Sequence, residues 1–402
     1  MTKVLPVDDD DLARCVNCGL CLPHCPTYRV TGDEARSPRG RIAIIRNVQE
    51  SDGLYDADTA DALNSCIQCR GCEPACPSGV PYGRIIAGAR QALVEQRLAT
   101  PRSWSFPVLT TALGVLARPR LLAVIGRLVS LAYRLRLLPR RFRLGPLPLG
   151  LGRRVRRGSS SPDVWILTGC VMDVWMRGTH RHTAALVTST GRTFGTTPGL
   201  CCGALHQHAG VTETSRRMAR RLMAAMPGEG PVLVNSAGCG AVMKEYGELL
   251  GTDDAHRFAR RVRDVHEWLE GYMSEIVTES MTGHPRPGDA SRPTVVLQDP
   301  CHLRHVQKVH GSVRSVLEQV ADVVHVDDDG LCCGAGGAYS ILQPATASLV
   351  RDRKVAAIEA ARAGRDAVVA SANPGCSMFL SAAGLPVRHP IDIVAERLGL
   401  DR

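Results

Sequence analysis

Residues 15–26 read CVNCGLCLPHCP and residues 66–77 read CIQCRGCEPACP. Both stretches space their cysteines C-x2-C-x2-C-x3-C and follow the last with proline. The first holds Cys15, Cys18, Cys21 and Cys25 before Pro26; the second holds Cys66, Cys69, Cys72 and Cys76 before Pro77. Three thiolates on one tight loop can cap three corners of a metal–sulfide cube, and this spacing is the one that holds [4Fe–4S] clusters. Structural zinc sites use paired C-x2-C hooks instead.

Where two such runs occur together, the fourth cysteine of each ligates the neighbouring cluster. Cys15, Cys18, Cys21 and Cys76 are therefore expected to hold one [4Fe–4S] cluster, and Cys66, Cys69, Cys72 and Cys25 the other. The 40 residues between Cys25 and Cys66 read as helical over 40–50 and 58–65. That predicts an α-helical ferredoxin domain rather than the small β-hairpin type. Two clusters in one small domain imply one-electron relay, not bond chemistry.

Outward from these runs, cysteine remains the outlier, with 16 among 402 residues. Such a count suits either an oxidised secreted protein or a metal protein. The N-terminus, MTKVLPVDDDD, has one lysine, an acidic run and no apolar stretch, so it does not read as a secretory signal. The expectation is a cytoplasmic chain whose thiols are reduced and available to metals. No apolar run reaches the ~18 residues of a membrane span; Ser103–Ala117 is too short and is broken by Pro107 and Gly114.

The net charge of +10 is local. Between Arg102 and Arg157 there are 13 arginines, no lysine and no acid. Arg120, Arg127, Arg134 and Arg141 recur every seven residues, a stripe on a helix, although Pro139 should end that helix before Arg141. Leu121, Leu122, Val124, Ile125, Leu128, Val129, Leu131, Leu135 and Leu138 cover its other faces. A basic amphipathic helix suits an anionic membrane surface, an acidic partner, or packing on its own domain with snorkelling arginines. No groove-reading motif accompanies the charge, and with aromatics at 4% a base-stacking platform is not expected, so nucleic acid is excluded as a partner.

The C-terminal half repeats itself. Cys170, the Cys201–Cys202 pair with Gly203, and Cys239 form one unit; Cys301, the Cys332–Cys333 pair with Gly334, and Cys376 form a second. In both, the first cysteine precedes its pair by 31 residues. Short apolar runs precede Cys170 (DVWILT), Cys239 (PVLVN), Cys301 (TVVLQ) and Cys376 (AVVAS), with helical stretches such as 213–226 and 345–363 between them. Strands alternating with helices predict a parallel α/β sheet, whose ligands gather beyond the carboxyl ends of the strands. The domains expected are 1–100, an Arg/Leu-rich bridging segment 101–160, and repeats at 161–285 and 286–402. The fold class is α+β multidomain: a helical ferredoxin domain followed by a duplicated α/β domain.

A strand and Cys, then CCG, then GC resembles the cysteine-rich CCG domain of heterodisulfide reductases and related oxidoreductases. A two-cluster ferredoxin followed by two such repeats is similar, more narrowly, to the iron–sulfur subunit of bacterial glycolate oxidase. The resemblance rests on CPTYRVTGDEARSPRGRI (25–42), CCGALHQHAG (201–210), SAGCGAVMKEYG (236–247), DPCHLRHVQKV (299–309), LCCGAGGAYSILQP (331–344), ANPGC (372–376) and VRHPIDIV (387–394). It covers nearly the whole chain and is weakest over 101–160. The architecture is shared with lactate-utilisation and glycerol-3-phosphate dehydrogenase subunits. Heterodisulfide reductases end each repeat with C-x-x-C; here Ser236 and Asn373 stand at the earlier cysteine. Four cysteines per repeat leave three readings open: a further [4Fe–4S] cluster, zinc, or a structural site without metal.

The resemblance implies an electron-transfer subunit of a glycolate dehydrogenase. FAD would lie in a partner subunit that oxidises glycolate to glyoxylate, and electrons would pass through the clusters toward a quinone-like acceptor. The sequence has no G-x-G-x-x-G after a strand, no P-loop and no G-x-S-x-G elbow, so no catalytic residue is assigned to this chain. Peripheral contact with the inner face of the membrane accompanies that reading. A disulfide-reducing enzyme is the alternative, and Ser236 and Asn373 speak against it. His206, His208, His302 and His305 are expected to be neighbours of the cysteines or surface residues, and Lys244–Glu245 a solvated face.

Overall fold

The computed structural model describes residues 6–51, 55–99, 113–115, 118–135, 137, 152–281, 292–328 and 330–400. Pro26 opens the helix Pro26–Thr31 from Cys25 as N-cap, and Gly32, at φ 67°, closes it in the left-handed conformation. Pro38 opens Pro38–Glu50, where the Ser37 hydroxyl accepts from the Gly40 amide. Asp56 caps Ala57–Asn64 in the same way. Ile42, Ile45 and Val48 on one face pack with Leu63 and with Ile85, Ile86, Ala89 and Leu93 of the helix Tyr82–Ala99. The helices expected over 40–50 and 58–65 are thus present, and the cysteine domain is helical.

By its contacts the chain divides into two compact units. The first comprises Met1–Gly114 together with Gly203–Ser215, which follows the first cysteine pair, and Leu331–Lys354, which contains the second. Within this unit the Gln68 side chain donates to the His208 carbonyl at 2.9 Å. Gly336, at φ 51°, passes so close to Ile67 that an added Cβ would stand 2.9 Å from its methyl.

The second unit carries two sheets. Strands β1 (Val164–Leu167), β2 (Phe194–Thr196), β3 (Val232–Val234) and β4 (Val262–Asp264) lie in the order β2-β1-β3-β4. Strands β5 (Thr294–Leu297), β6 (Asp322–His325), β7 (Val368–Ala370) and β8 (Val387–Arg388) lie in the order β6-β5-β7-β8. Every pairing between these eight strands is parallel. Ile166 stands opposite Thr196 and Leu233, as Val296 stands opposite Val324 and Val369. One topology repeated with matching registers is the duplication the cysteine spacing implied. The central strands VWIL and VLV are wholly buried, as strands covered on both faces must be. Leu186, Ala237, Val265 and Leu269 of the first repeat share a core with Val295, Leu297, Val316 and Ile391 of the second.

The arginine-rich segment contributes the helix Pro119–Arg134. Leu122 is buried against Cys170, Val174 and Cys201. Gly126 lets the helix approach Trp175, whose ring would stand 3.0 Å from an added Cβ. The opposite face, Leu121, Val124, Leu128, Leu131 and Leu135, is exposed. Leu138, Pro139 and Arg141 lie outside the described residues. Among those described, no helix is long and apolar enough to cross a membrane.

Candidate metal centres

The two N-terminal cysteine runs fold into loops of the same shape. Asn17 and Gly19 in the first, and Gln68 and Arg70 in the second, have φ between 60° and 84°. Left-handed backbone thus falls immediately before and immediately after the second cysteine of each run. For Asn17, Gln68 and Arg70 this conformation is strained, and such strain concentrates at ligand clamps. It turns three thiols of one short loop toward one hollow.

Two such hollows, partly open to solvent, lie among the described residues of this domain. Cys15, Cys18, Cys21 and Cys76 line the first, with Cys72 at its wall. Cys25, Cys66, Cys69 and Cys72 line the second. Each includes three cysteines of one run and the last cysteine of the other, and Cys72 borders both. Tyr82 lines both. Burial pushes the Cys21 and Cys72 thiols above their ordinary value, that of Cys72 strongly. Deprotonated thiolates in this setting require cations to hold them. A soft all-thiolate donor set around a hollow is what an iron–sulfur cluster fits.

The second hollow has a polar wall that the sequence did not announce. Arg41, fully buried, lines it. Its guanidinium donates to the Ala62 carbonyl at 2.8 Å, the Ser65 hydroxyl at 2.8 Å and the Thr27 hydroxyl at 3.2 Å. Thr27 Oγ1 lies 3.2 Å from Cys25 Sγ, and the Tyr82 hydroxyl donates to Cys66 Sγ at 3.7 Å. The SPRGR stretch at 37–41 carried the only trace of this arrangement.

In the first repeat the strand ends collect the cysteines as the parallel-sheet rule requires. Cys170 follows β1, the Cys201–Cys202 pair follows β2, and Cys239 sits in the helix Ala237–Lys244 after β3. Cys170 hydrogen-bonds Cys201, and Cys202 hydrogen-bonds Cys201 and Cys239, so the four free thiols form one hydrogen-bonded chain. These contacts, with burial, hold Cys170 and Cys202 protonated well above the ordinary thiol range. The Tyr246 hydroxyl donates to the Cys202 carbonyl at 2.7 Å and fixes the pair from behind. Among the described residues, no three His, Cys, Asp or Glu side chains are grouped as ligands of a single metal ion.

In the second repeat Cys332, Cys333 and Cys376 are buried and Cys301 is half-buried. The Gly334 amide donates to Cys332 Sγ at 3.4 Å, and the Asn373 side chain to Cys376 Sγ at 3.4 Å. Ser236 and Asn373, the two positions that depart from C-x-x-C, meet each other. The Ser236 hydroxyl donates to Asn373 Oδ1 at 3.4 Å and the Gly238 amide to the same oxygen at 3.2 Å. They stand at the N-cap positions of the helices Ala237–Lys244 and Pro374–Ser381, and their side chains join the two repeats instead of capping their own helices.

Among the histidines, His206 is buried and His305 is held neutral to about 4 by burial, with the Gly330 carbonyl 3.4 Å away. His208 offers its backbone carbonyl to Gln68, and His302 Nδ1 borders Gly238. Lys244 corrects the reading of a solvated face. Its ammonium forms a half-buried ion pair with Glu267 at 2.8 Å, and that carboxylate also closes the capping box at Asp264. A lysine within a helix gives no sign in sequence of a partner 23 residues on.

A dicluster cubane domain and two cysteine-rich α/β domains define an iron–sulfur electron-transfer protein, and the comparisons agree. A 4Fe-4S dicluster domain matches residues 11–80, and a cysteine-rich domain matches residues 164–244 and again 295–381. The chain is 33% identical to the glycolate oxidase iron–sulfur subunit of Escherichia coli (strain K12), over 97% of this chain and 95% of that one. It is 31% identical to a probable glycolate oxidase iron–sulfur subunit of Bacillus subtilis (strain 168), over 92% and 88%. A component of the dihydromethanophenazine:CoB–CoM heterodisulfide reductase of Methanosarcina barkeri is 24% identical over 97% and 95%. The chain belongs to the family of glycolate oxidase iron–sulfur subunits.

Proposed function

We propose that this chain relays electrons within a glycolate-oxidising complex, from a flavin-bearing subunit to a quinone-like acceptor, and touches no hydroxy acid itself. The observation that carries this reading is the pair of hollows, whose linings each include three thiols of one loop and the fourth of the other, with Cys72 bordering both. Cys15, Cys18, Cys21 and Cys76 would hold one [4Fe–4S] cluster, and Cys66, Cys69, Cys72 and Cys25 the second. When bound, such clusters accept and donate one electron at a time, at potentials set by charge, hydrogen bonds and burial.

The residues of the chain do the rest. The left-handed loops aim the thiols, and the Tyr82 hydroxyl hydrogen-bonds a ligand sulfur. The helical core excludes water on one side, while Cys18 remains exposed and offers an edge through which an electron can enter. In the first repeat, Cys170, Cys201, Cys202 and Cys239 would hold a further iron–sulfur centre, for which four soft thiolates are a suitable donor set. The segments 1–100, 161–285 and 286–402 act as cluster domain and two repeats, with 101–160 as the element that meets the membrane.

That contact is carried by the helix Pro119–Arg134. Leu121, Val124, Leu128, Leu131 and Leu135 form an aliphatic stripe directed away from its buried face. Arg127 is exposed beside it, within a segment of 13 arginines and no acid. An apolar stripe flanked by arginine fits the anionic inner face of a bilayer. The same helix packs Leu122 on Cys170 and Cys201, so docking would bring a lipid-borne quinone near the first repeat.

Disulfide reduction is the weaker reading, because Ser236 and Asn373 hydrogen-bond each other where that chemistry uses cysteine. Iron, acid-labile sulfide and zinc per chain, measured on protein purified without oxygen, test the proposal. About twelve irons, three clusters' worth, are expected. About eight would confine electron transfer to residues 1–100, and fewer would remove the relay.

A further inference from the structure

The two cluster sites are alike in their thiols and unlike in their charge. Arg41 and Arg90 are 1% and 8% exposed. Arg90 donates to the carbonyls of Leu63 at 2.9 Å, Asn64 at 3.1 Å and Cys66 at 2.6 Å. It also donates to the carbonyl of His208 at 2.8 Å, in the segment that follows Cys202. Arg41 takes the carbonyl of Ala62 and the hydroxyls of Thr27, Ser65 and Tyr82. Among the described residues neither guanidinium meets a carboxylate: all their partners are carbonyl and hydroxyl oxygens. The carbonyls of Ala62, Leu63 and Asn64 close the helix Ala57–Asn64, whose negative dipole end is worth about half a charge. Two whole cations face that half charge.

A buried cation without an anion is strongly disfavoured even after the surroundings relax. A protein that buries two of them against one cysteine run has an anion there when complete. A [4Fe–4S] core held by four thiolates is a dianion, and a trianion once reduced. Arg41 lines the second hollow, and Arg90 binds the carbonyl of its ligand Cys66.

Among the described residues, no fully buried arginine lines the first hollow. Its lining arginine, Arg39, is neutralised by Glu34 at 2.7 Å. Arg46, on the Cys15 carbonyl, is only half-buried and screened by water. The acidic run Asp8–Asp11 precedes the same loop, and Asp11 is paired with Arg84 at 2.6 Å.

We infer that Arg41 and Arg90 are the fixed counter-charges of the cluster held by Cys25, Cys66, Cys69 and Cys72, and make it the higher-potential member of the pair. Reduction adds one negative charge, and buried cations favour that state. Electrons entering at exposed Cys18 then run downhill from the first cluster to the second. Arg41 and Arg90 are positioning residues for charge, not ligands. The inference rests on the two-cluster reading above and gives that relay a direction.

The test is an EPR-monitored redox titration of the full chain, purified without oxygen. Cys18→Ser perturbs the first cluster and so assigns the signals. In the wild type the signal untouched by Cys18→Ser is expected at the higher midpoint. Arg90→Gln and Arg41→Gln are each expected to lower that midpoint by at least a tenfold change in reduced-to-oxidised ratio, about 59 mV for one electron. The other midpoint should stay, and Arg→Lys should restore most of the shift. A merely structural role would move both signals or neither, and either result overturns the inference. Should the Gln variants lose iron, the Lys variants and the wild-type order still decide; a higher midpoint on the Cys18 side refutes it. Absence of two cubane signals in the wild type would instead refute the two-cluster reading.

Discussion

Replacing Leu128 and Leu131 together by serine isolates the proposed membrane contact, because neither side chain belongs to the buried face of Leu122 and Gly126. The five stripe residues are 39–61% exposed, so about half of each side chain remains to be buried. Full burial of such a side chain is worth about 1.5–3 kcal/mol, which leaves about 1 kcal/mol each and about 5 kcal/mol for the stripe. An arginine near an anionic surface adds about 1 kcal/mol. The sum corresponds to a dissociation constant between millimolar and micromolar. The double substitution removes about 2 kcal/mol, or about 30-fold in affinity. Co-sedimentation of the full chain with vesicles measures this directly. Wild type should sediment with vesicles containing an anionic lipid, much less with zwitterionic ones, and less at high salt. A double variant that sediments like the wild type, or a wild type indifferent to lipid charge, would refute the reasoning.

Three further outcomes are expected. Cys76→Ala should abolish the EPR signal of the cluster whose other ligands are Cys15, Cys18 and Cys21, although Cys76 belongs to the second run; loss of the other signal would contradict the crossed arrangement. Tyr246→Phe removes the donor to the Cys202 carbonyl and should destabilise the second unit by about 1–2 kcal/mol, read as a lower Tm, whereas an unchanged Tm would show the bond to be idle. His180 and His389 are wholly buried and held neutral to about 4 by desolvation, against about 6.5 in the unfolded chain. Between those values the unfolded state binds more protons, so stability rises with pH and is lost as pH falls from about 6.5 toward 4. The loss at pH 5 is about 2 kcal/mol per histidine, and urea denaturation at pH 7 and pH 5 should show it, with a shallower fall in His389→Asn.

What the sequence revealed and what it hid follow one physical line. The cysteine runs were legible because ligand spacing is local: a loop of seven residues carries three corners of a site by itself. Strands β1, β3, β5 and β7 were legible because each is central in its sheet and must be apolar on both faces. Strands β2, β4, β6 and β8 went unread. Each is an edge strand, and FGT, VRD and VR are too short or too mixed to show a period. The convergence of Cys170, Cys201, Cys202 and Cys239 followed from parallel topology alone.

Long-range pairings stayed hidden. Arg41 and Arg90 lie in amphipathic helices, where an arginine ordinarily faces water; only the fold shows them turned inward onto the carbonyls of residues 62–66. Ser236 and Asn373 read as losses of cysteine, and the structure shows that they hydrogen-bond each other across the repeats.

The relay is tested most directly by adding glycolate, without oxygen, to the chain alone and to the chain assembled with its flavin-bearing partner, and recording EPR spectra of both. Reduced-cluster signals are expected only in the assembled sample, with glyoxylate formed there and not with the chain alone. Glyoxylate produced by the chain alone, or glyoxylate produced by the complex while the clusters stay oxidised, would contradict an electron-transferring role for this protein.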